Sequence, residues 1–276
     1  MLLQPHAHPP DKLIRSIRVD LLLLRLFVLS LRLQVLLPSR NRQRRLACTG
    51  FSILVMTRPL ILLHGIARTR HSLWPVAREG AARGYAVASI GYPWRTGSLD
   101  ELAAIVAKRI ADKVPSGQFD VVTHSMGGII LRVATARGLI PAERIHRAVM
   151  LAPPSQGSEL AEILRGQRLF RWVYGPAGQQ LGTGVESAPL ALPPLPFECG
   201  VIAGGRTLVP LAESIFGGPT DGRVSVARAR ADGMADFMVV DRAHTFMMWG
   251  KDVLAAVFGF LETGRFPHVA TAGSEA

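Results

Sequence analysis

Cysteine is almost absent from this chain of 276 residues; Cys48 and Cys199 are the two it has. They lie in different segments, so no disulfide framework is available, and no Cys-x-x-Cys spacing offers a metal site. Nothing in the cysteine usage points to an oxidising compartment. Acidic residues are scarce as well, 20 against 32 lysines and arginines. The resulting net charge of +12 is unevenly spread, because residues 1–56 alone carry +7, from Lys12 and eight arginines against Asp11 and Asp20. A nucleic-acid partner would require a basic patch within a recognisable module. The arginines of the remainder are scattered, so that class of function is excluded. Long hydrophobic runs are missing too. Val19 to Leu37 is leucine-rich, yet its longest unbroken apolar run is four residues. Arg25 and Arg32 would sit inside any spanning helix, at about 2.5–3.5 kcal/mol each near its centre. A membrane span is therefore disfavoured. So is a secretory signal, since charges interrupt the apolar region and no small-x-small cleavage site follows. Internal repeats are absent.

Two readings of the first 56 residues stay open. Arg18, Arg25 and Arg32 are seven apart and would share one face of a helix lying in a membrane interface, with the arginines reaching the headgroups. This reading gives a peripheral membrane contact through residues 1–56. Alternatively, the folded domain begins at Met56, and residues 1–55 are an upstream extension with no selected structure. Cytoplasmic and membrane-associated locations both fit.

What is present is a hydrophobic content of 49%, ample for a buried sheet, and room for one domain of roughly 200–250 residues. Strand and helix patterns alternate from residue 57 to 265. Strands are expected at 59–63, 85–90, 119–124, 147–152, 199–203 and 237–241, and helices at 72–84, 98–113, 127–138 and 251–262. That order predicts an α/β fold, a mainly parallel sheet with helices on both faces. Residues 266–276 read as a disordered tail. Between about 155 and 197 the alternation breaks. A helical piece from Ser158 to about Leu169 leads into Phe170-Arg171-Trp172-Val173-Tyr174 and then a Gly/Pro-rich stretch. Insertions of this length are usually functional. It reads as a cap or lid, with Phe170, Trp172 and Tyr174 either facing an apolar substrate or packing the insertion onto the core.

The most informative stretch is Phe119-Asp120-Val121-Val122-Thr123-His124-Ser125-Met126-Gly127-Gly128. An apolar strand runs straight into a serine, and small residues then open a helix. This is the layout of a nucleophile elbow, which holds a serine hydroxyl at the end of a sheet. The usual Gly-x-Ser-x-Gly pattern is broken by Thr123 at its first glycine. Nucleophilic catalysis by serine needs a base and a group that orients it. Three histidines follow Ser125. His146 opens a strand at the end opposite the elbow, and His268 lies in the tail. His244 lies in a loop after a strand, where an active-site histidine belongs. Asp221 in Thr220-Asp221-Gly222-Arg223 is the preferred acid, with Glu213, Asp232 and Asp241 as rivals. Two backbone N–H groups would form the oxyanion hole. Met126 supplies one, and Ile66, or alternatively Ala67, supplies the other after the strand and His64-Gly65 turn.

These pieces, with Ala152-Pro153-Pro154-Ser155-Gln156-Gly157-Ser158 and His244-Thr245-Phe246-Met247, resemble the lipase-like branch of the α/β-hydrolases, the bacterial esterase and triacylglycerol-lipase type. The resemblance covers about residues 57–265. It implies an α/β-hydrolase fold and a serine hydrolase of carboxylic esters. Ser125 would be the nucleophile, Asp221 the acid, His244 the base, and Ile66 with Met126 the oxyanion donors. It implies no cofactor and no metal. The same triad would serve an acyltransferase or a thioesterase. A non-catalytic binding protein on the same fold is the rival of another class.

Overall fold

The computed structural model describes residues 58–208 and 211–267. The readings of residues 1–56, the tail beyond Pro267 and His268 fall outside this range. Six strands occur within it: β1 (Leu60–Leu63), β2 (Val87–Ile90), β3 (Phe119–His124), β4 (Ile145–Leu151), β5 (Cys199–Gly204) and β6 (Asp236–Val240). They form one sheet in the order β2-β1-β3-β4-β5-β6, every neighbouring pair parallel. Parallel neighbours need crossovers, and helices provide them. These are α1 (Trp74–Ala82), α2 (Leu99–Lys113), α3 (Met126–Ala136), α4 (Glu159–Leu164), α5 (Arg168–Gln179), α6 (Ala212–Phe216), α7 (Val226–Ala229) and α8 (Lys251–Thr263).

The apolar runs of β1 and β3 are buried on both faces, as strands covered by helices on each side must be. Successive side chains point to opposite faces. Leu60, Leu62, Val122, Val149, Leu151 and Ile202 join Val76 of α1 and Val253, Val257 and Phe260 of α8 in one core. On the other face α3 lies over Thr123 and Met150, against which Gly128 packs, and α2 packs against α3. Local signals explain why α2 starts where it does. Ser98 caps it by accepting from Glu101 N–H, and the Glu101 carboxylate returns to Ser98 N–H.

Three boundaries differ from the sequence reading. Residues 72–73 form a turn, and α1 begins only where Pro75 can occupy its first turn. Phe266 is buried against Phe260 at 5.1 Å, and its N–H donates to Asp236 at 2.8 Å, so the core extends past residue 265. In the insertion, α4 stops at Leu164, and a second helix, α5, runs from Arg168 through Gly175-Pro176. It survives that pair because Gly175 takes φ 62 and ψ −167, which kinks the helix, and Pro176 restarts it. A Cβ on Gly175 would collide with the Arg95 carbonyl, so glycine is required there.

Candidate active site

The register of β1 and β3 pairs Leu63 with Thr123 and brings both strands to the same edge together. Ser125 follows β3 with φ 54 and ψ −127, a conformation that non-glycine residues rarely adopt. Its N–H donates to Leu151 O at 2.8 Å, and its carbonyl accepts from Gly128 N–H at 3.0 Å. Gly127 is required for closeness alone. A Cβ there would stand 2.6 Å from Leu63 O and 2.7 Å from His64 O. Thr123 is accommodated from across the helix. It is fully buried, and a Cβ on Gly128 would lie 3.1 Å from its Oγ1. The space that the usual first glycine would leave is thus supplied by the second residue of the Gly127-Gly128 pair.

The loops after β5 and β6 meet at the same edge. Asp221 Oδ2 accepts from His244 Nδ1–H at 2.6 Å, and Oδ1 accepts from the N–H groups of Arg223 and Val224, both at 2.9 Å. His244 N–H also donates to the Asp221 carbonyl at 3.1 Å. With Nδ1 carrying the proton, Nε2 of His244 is left as an acceptor. Burial lowers the His244 pKa from 6.5, and the Asp221 carboxylate partly offsets this. The imidazole is therefore neutral near pH 7. The rival acids sit elsewhere. Glu213, Asp232 and Asp241 are exposed, and Asp241 lies 3.8 Å from Arg206. His146 pairs with Asp120 at 2.8 Å near the opposite end of the sheet.

Ser125, His244 and Ile66 line one small cavity with Phe170, Tyr174 and Arg223. It measures about 30 Å³, room for a water molecule or two. Ile66 lines it and Met126 directly follows Ser125, and neither residue's N–H finds an acceptor among the described residues. Buried N–H groups are rarely left unpaired, so a pair of them beside one serine suits an oxyanion. Ala67 follows with φ 56 and turns the chain away directly after Ile66. Phe170 and Tyr174 are buried and stacked at 4.5 Å. Trp172 is 66% exposed, lies under the Arg95 guanidinium at 4.1 Å, and is not part of the cavity wall. Helical periodicity accounts for this. Residues 170 and 174 share a face of α5, and residue 172 points the other way.

Sequence reasoning left several site residues unassigned. His124 is buried, and its Nε2–H donates to the His244 carbonyl at 3.1 Å, pinning the loop that carries His244. Burial holds its pKa well below the usual value. Tyr92 stacks on His64 and donates to the His64 carbonyl beneath Gly65. Arg68 donates to Thr245 O at 2.9 Å, and Arg223 donates to Tyr174 OH at 3.0 Å. Only Arg223 had a local signal, its place beside Asp221. Among the described residues no cluster of His, Cys, Asp and Glu is arranged to hold a metal.

A family model described as a domain of unknown function, DUF7379, matches residues 39–182. The chain belongs to the DUF7379 family. The matched span takes in the β1 turn, the elbow and most of the insertion, and it stops before Asp221 and His244. No curated protein matches this DUF7379 chain. Among solved structures, it is similar to the mature form of Bacillus licheniformis lipase BlEst2, at 18% identity and a TM-score of 0.63, over 75% of this chain and 91% of that one. Aspergillus fumigatus lipase B aligns at 15% identity and 0.56, over 74% and 52% of the two chains. The metagenomic carboxyl esterase MGS0156 aligns at 21% identity and 0.55, over 72% and 68%. These likenesses establish an α/β-hydrolase fold.

Proposed function

We propose that the chain is a serine hydrolase of carboxylic esters working through an acyl-enzyme. The observation that carries this reading is the buried His244–Asp221 pair at 2.6 Å opening on the same cavity as a serine in elbow conformation. In the proposed scheme, Ser125 Oγ attacks the ester carbonyl, and His244 Nε2 takes the hydroxyl proton. Asp221 holds the tautomer and stabilises the imidazolium that forms. The oxyanion is met by the N–H groups of Ile66 and Met126, and loss of one such donor costs about 3 kcal/mol in comparable sites. His244 then protonates the departing alcohol. Water, activated by the same histidine, attacks the acyl-enzyme and releases the acid. The fold relatives described above, two lipases and a carboxyl esterase, agree with this chemistry.

The test is labelling of the full chain with a fluorophosphonate probe, beside hydrolysis of para-nitrophenyl esters of graded acyl length. Labelling and turnover that both vanish in Ser125→Ala are expected. A folded protein that neither labels nor cleaves any ester overturns the reading.

A further inference from the structure

The loop that carries the Ile66 N–H is held at one peptide plane. The register of β1 and β2 pairs Leu63 with Ile90, so the residues after the two strands, His64-Gly65 and Gly91-Tyr92, leave the sheet side by side. Tyr92 and His64 are both buried, and their rings stack at 4.1 Å with 6° between the planes. The Tyr92 hydroxyl donates to the His64 carbonyl. The stack and that bond clamp the His64 ring, and its Nδ1 meets the Gly65 carbonyl at 2.8 Å. A carbonyl can only accept, so Nδ1 carries the proton. Burial lowers the His64 pKa to about 4. Near pH 7 the ring is therefore neutral with a single N–H, and the Gly65 carbonyl receives it.

The consequence lies on the other side of the same peptide. Gly65 C=O and Ile66 N–H belong to one planar unit and point in opposite directions. With the carbonyl held toward His64, the Ile66 N–H is turned away from it. That N–H finds no acceptor among the described residues, and Ile66 lines the Ser125 cavity. The plane has little freedom to shift. A Cβ on Gly65 would stand 2.9 Å from Ser125 Cβ and 3.0 Å from His124 Nδ1. Ala67, two residues on, holds φ 56, and a non-glycine residue keeps such a conformation only where its surroundings enforce it. A donor to an oxyanion is worth most when it is aimed before the reaction starts.

We infer that His64 is a positioning residue, whose Nδ1–H holds the Gly65 carbonyl and so aims the Ile66 N–H at the oxygen that becomes negative when Ser125 attacks an ester. Tyr92 is the clamp that keeps His64 in place. This rests on the esterase reading of Ser125.

The experiment compares His64→Leu, His64→Asn and Tyr92→Phe in the full chain. Leucine removes the donor. Asparagine places an amide N–H as many bonds from Cβ as Nδ1 is. With a para-nitrophenyl ester, His64→Leu should lower kcat by about tenfold to a hundredfold and leave KM nearly unchanged, because the lost interaction belongs to the transition state. A trifluoromethyl ketone should lose affinity by a similar factor. Ser125 Oγ adds to its carbonyl carbon, the hydroxyl proton goes to His244, and the carbonyl oxygen becomes the oxyanion. His64→Asn should restore most of both losses, and Tyr92→Phe should show the same pattern more weakly. Thermal midpoints confirm that each variant folds, and if His64→Leu does not, Tyr92→Phe decides by the same readouts. A loss carried by KM overturns the inference. So does one that asparagine fails to restore, because the imidazole then serves packing alone. A second readout needs no turnover. Nitrogen NMR should find the His64 proton on Nδ1, and residual dipolar couplings should show the Ile66 N–H turned in His64→Leu and not in His64→Asn. A proton on Nε2, or an Ile66 N–H that keeps its direction in His64→Leu, overturns the inference even if esters are cleaved. The expected tautomer and rotation in a chain that cleaves no ester uphold the positioning of the N–H, and the esterase reading alone falls.

Discussion

Around Ser125 the chain is held by backbone against backbone. Over the same cavity, residues 155–197 are held partly by backbone pairs, such as Ala177 N–H to Gly97 O at 3.1 Å and Leu195 N–H to Asp232 O at 2.8 Å, and to a large extent by side chains. At the elbow, Ser125 N–H reaches Leu151 O, and Gly127 lies against two carbonyls with no room for a methyl group. In the lid, Arg132 of α3 donates to the carbonyls of Ser155, Leu192 and Pro193, tying both roots of the insertion to one helix. Glu162 gathers the N–H groups of Thr183 and Gly184, and Tyr174 closes on Arg223. On the proposed reading Ser125 must not drift, because misplacement of an ångström costs rate heavily. A cover must be able to leave, and a few polar contacts worth about 1 kcal/mol each permit that. On the proposed reading, the contrast leaves the elbow rigid and gives the insertion more contacts that can be released one at a time.

The largest effect is expected where there is least room. Gly127→Ala should abolish fluorophosphonate labelling and lower stability by about 3 kcal/mol, read by labelling and denaturant melts. Labelling at the original rate would break the contrast. Arg132→Met comes next. Three carbonyls lose their donor, at a cost of about 2–3 kcal/mol, and limited proteolysis should open sites between residues 155 and 193 while the elbow strands stay protected. Acidification should act on the elbow side. His64 is buried neutral with its pKa lowered to about 4 by burial. The unfolded state therefore binds more protons between pH 6.5 and 4, and stability falls as pH drops through that window, by up to about 3 kcal/mol for this group. Thermal midpoints across that range check it, and a flat profile would sink it. Gly128→Ala should cost about 1–3 kcal/mol by pressing on Thr123. In a Thr123→Ala background most of that cost should disappear, since the substitution removes a buried hydroxyl that has no partner among the described residues. Additive costs would show that the two residues do not share the space. The smallest effect belongs to the latch. Tyr174→Phe should lower stability by about 1 kcal/mol and speed hydrogen exchange in α5, with α3 unchanged.

The elbow was legible because its requirements are local. A strand, a serine and small residues in immediate succession allow little other than a tight strand-to-helix turn. Asp221 was one of four candidates in the sequence, and burial separates them, since its rivals are exposed. The lid was only partly legible. Gly175-Pro176 belongs to the Gly/Pro-rich stretch of the sequence, yet helical turns resume after the kink at Gly175, where Arg95 lies close by from 80 residues away. Trp172 reads as one of a group with Phe170 and Tyr174, and only the helical turn separates it from them. His124 and Arg68 carry no local mark. Their partners, the carbonyls of His244 and Thr245, lie 120 and 177 residues further along the chain.

By itself the sequence determined the alternation of strands and helices, the position of the serine turn and the break at the insertion, because each follows from apolar periodicity or from glycine within a few residues. The tertiary structure alone decided which acid meets His244, how Gly128 makes room for Thr123, that the Ile66 and Met126 N–H groups find no acceptor among the described residues, and that Arg223 reaches the cavity wall. These depend on strand register and on loops brought together from distant parts of the chain, and no local pattern encodes such distances.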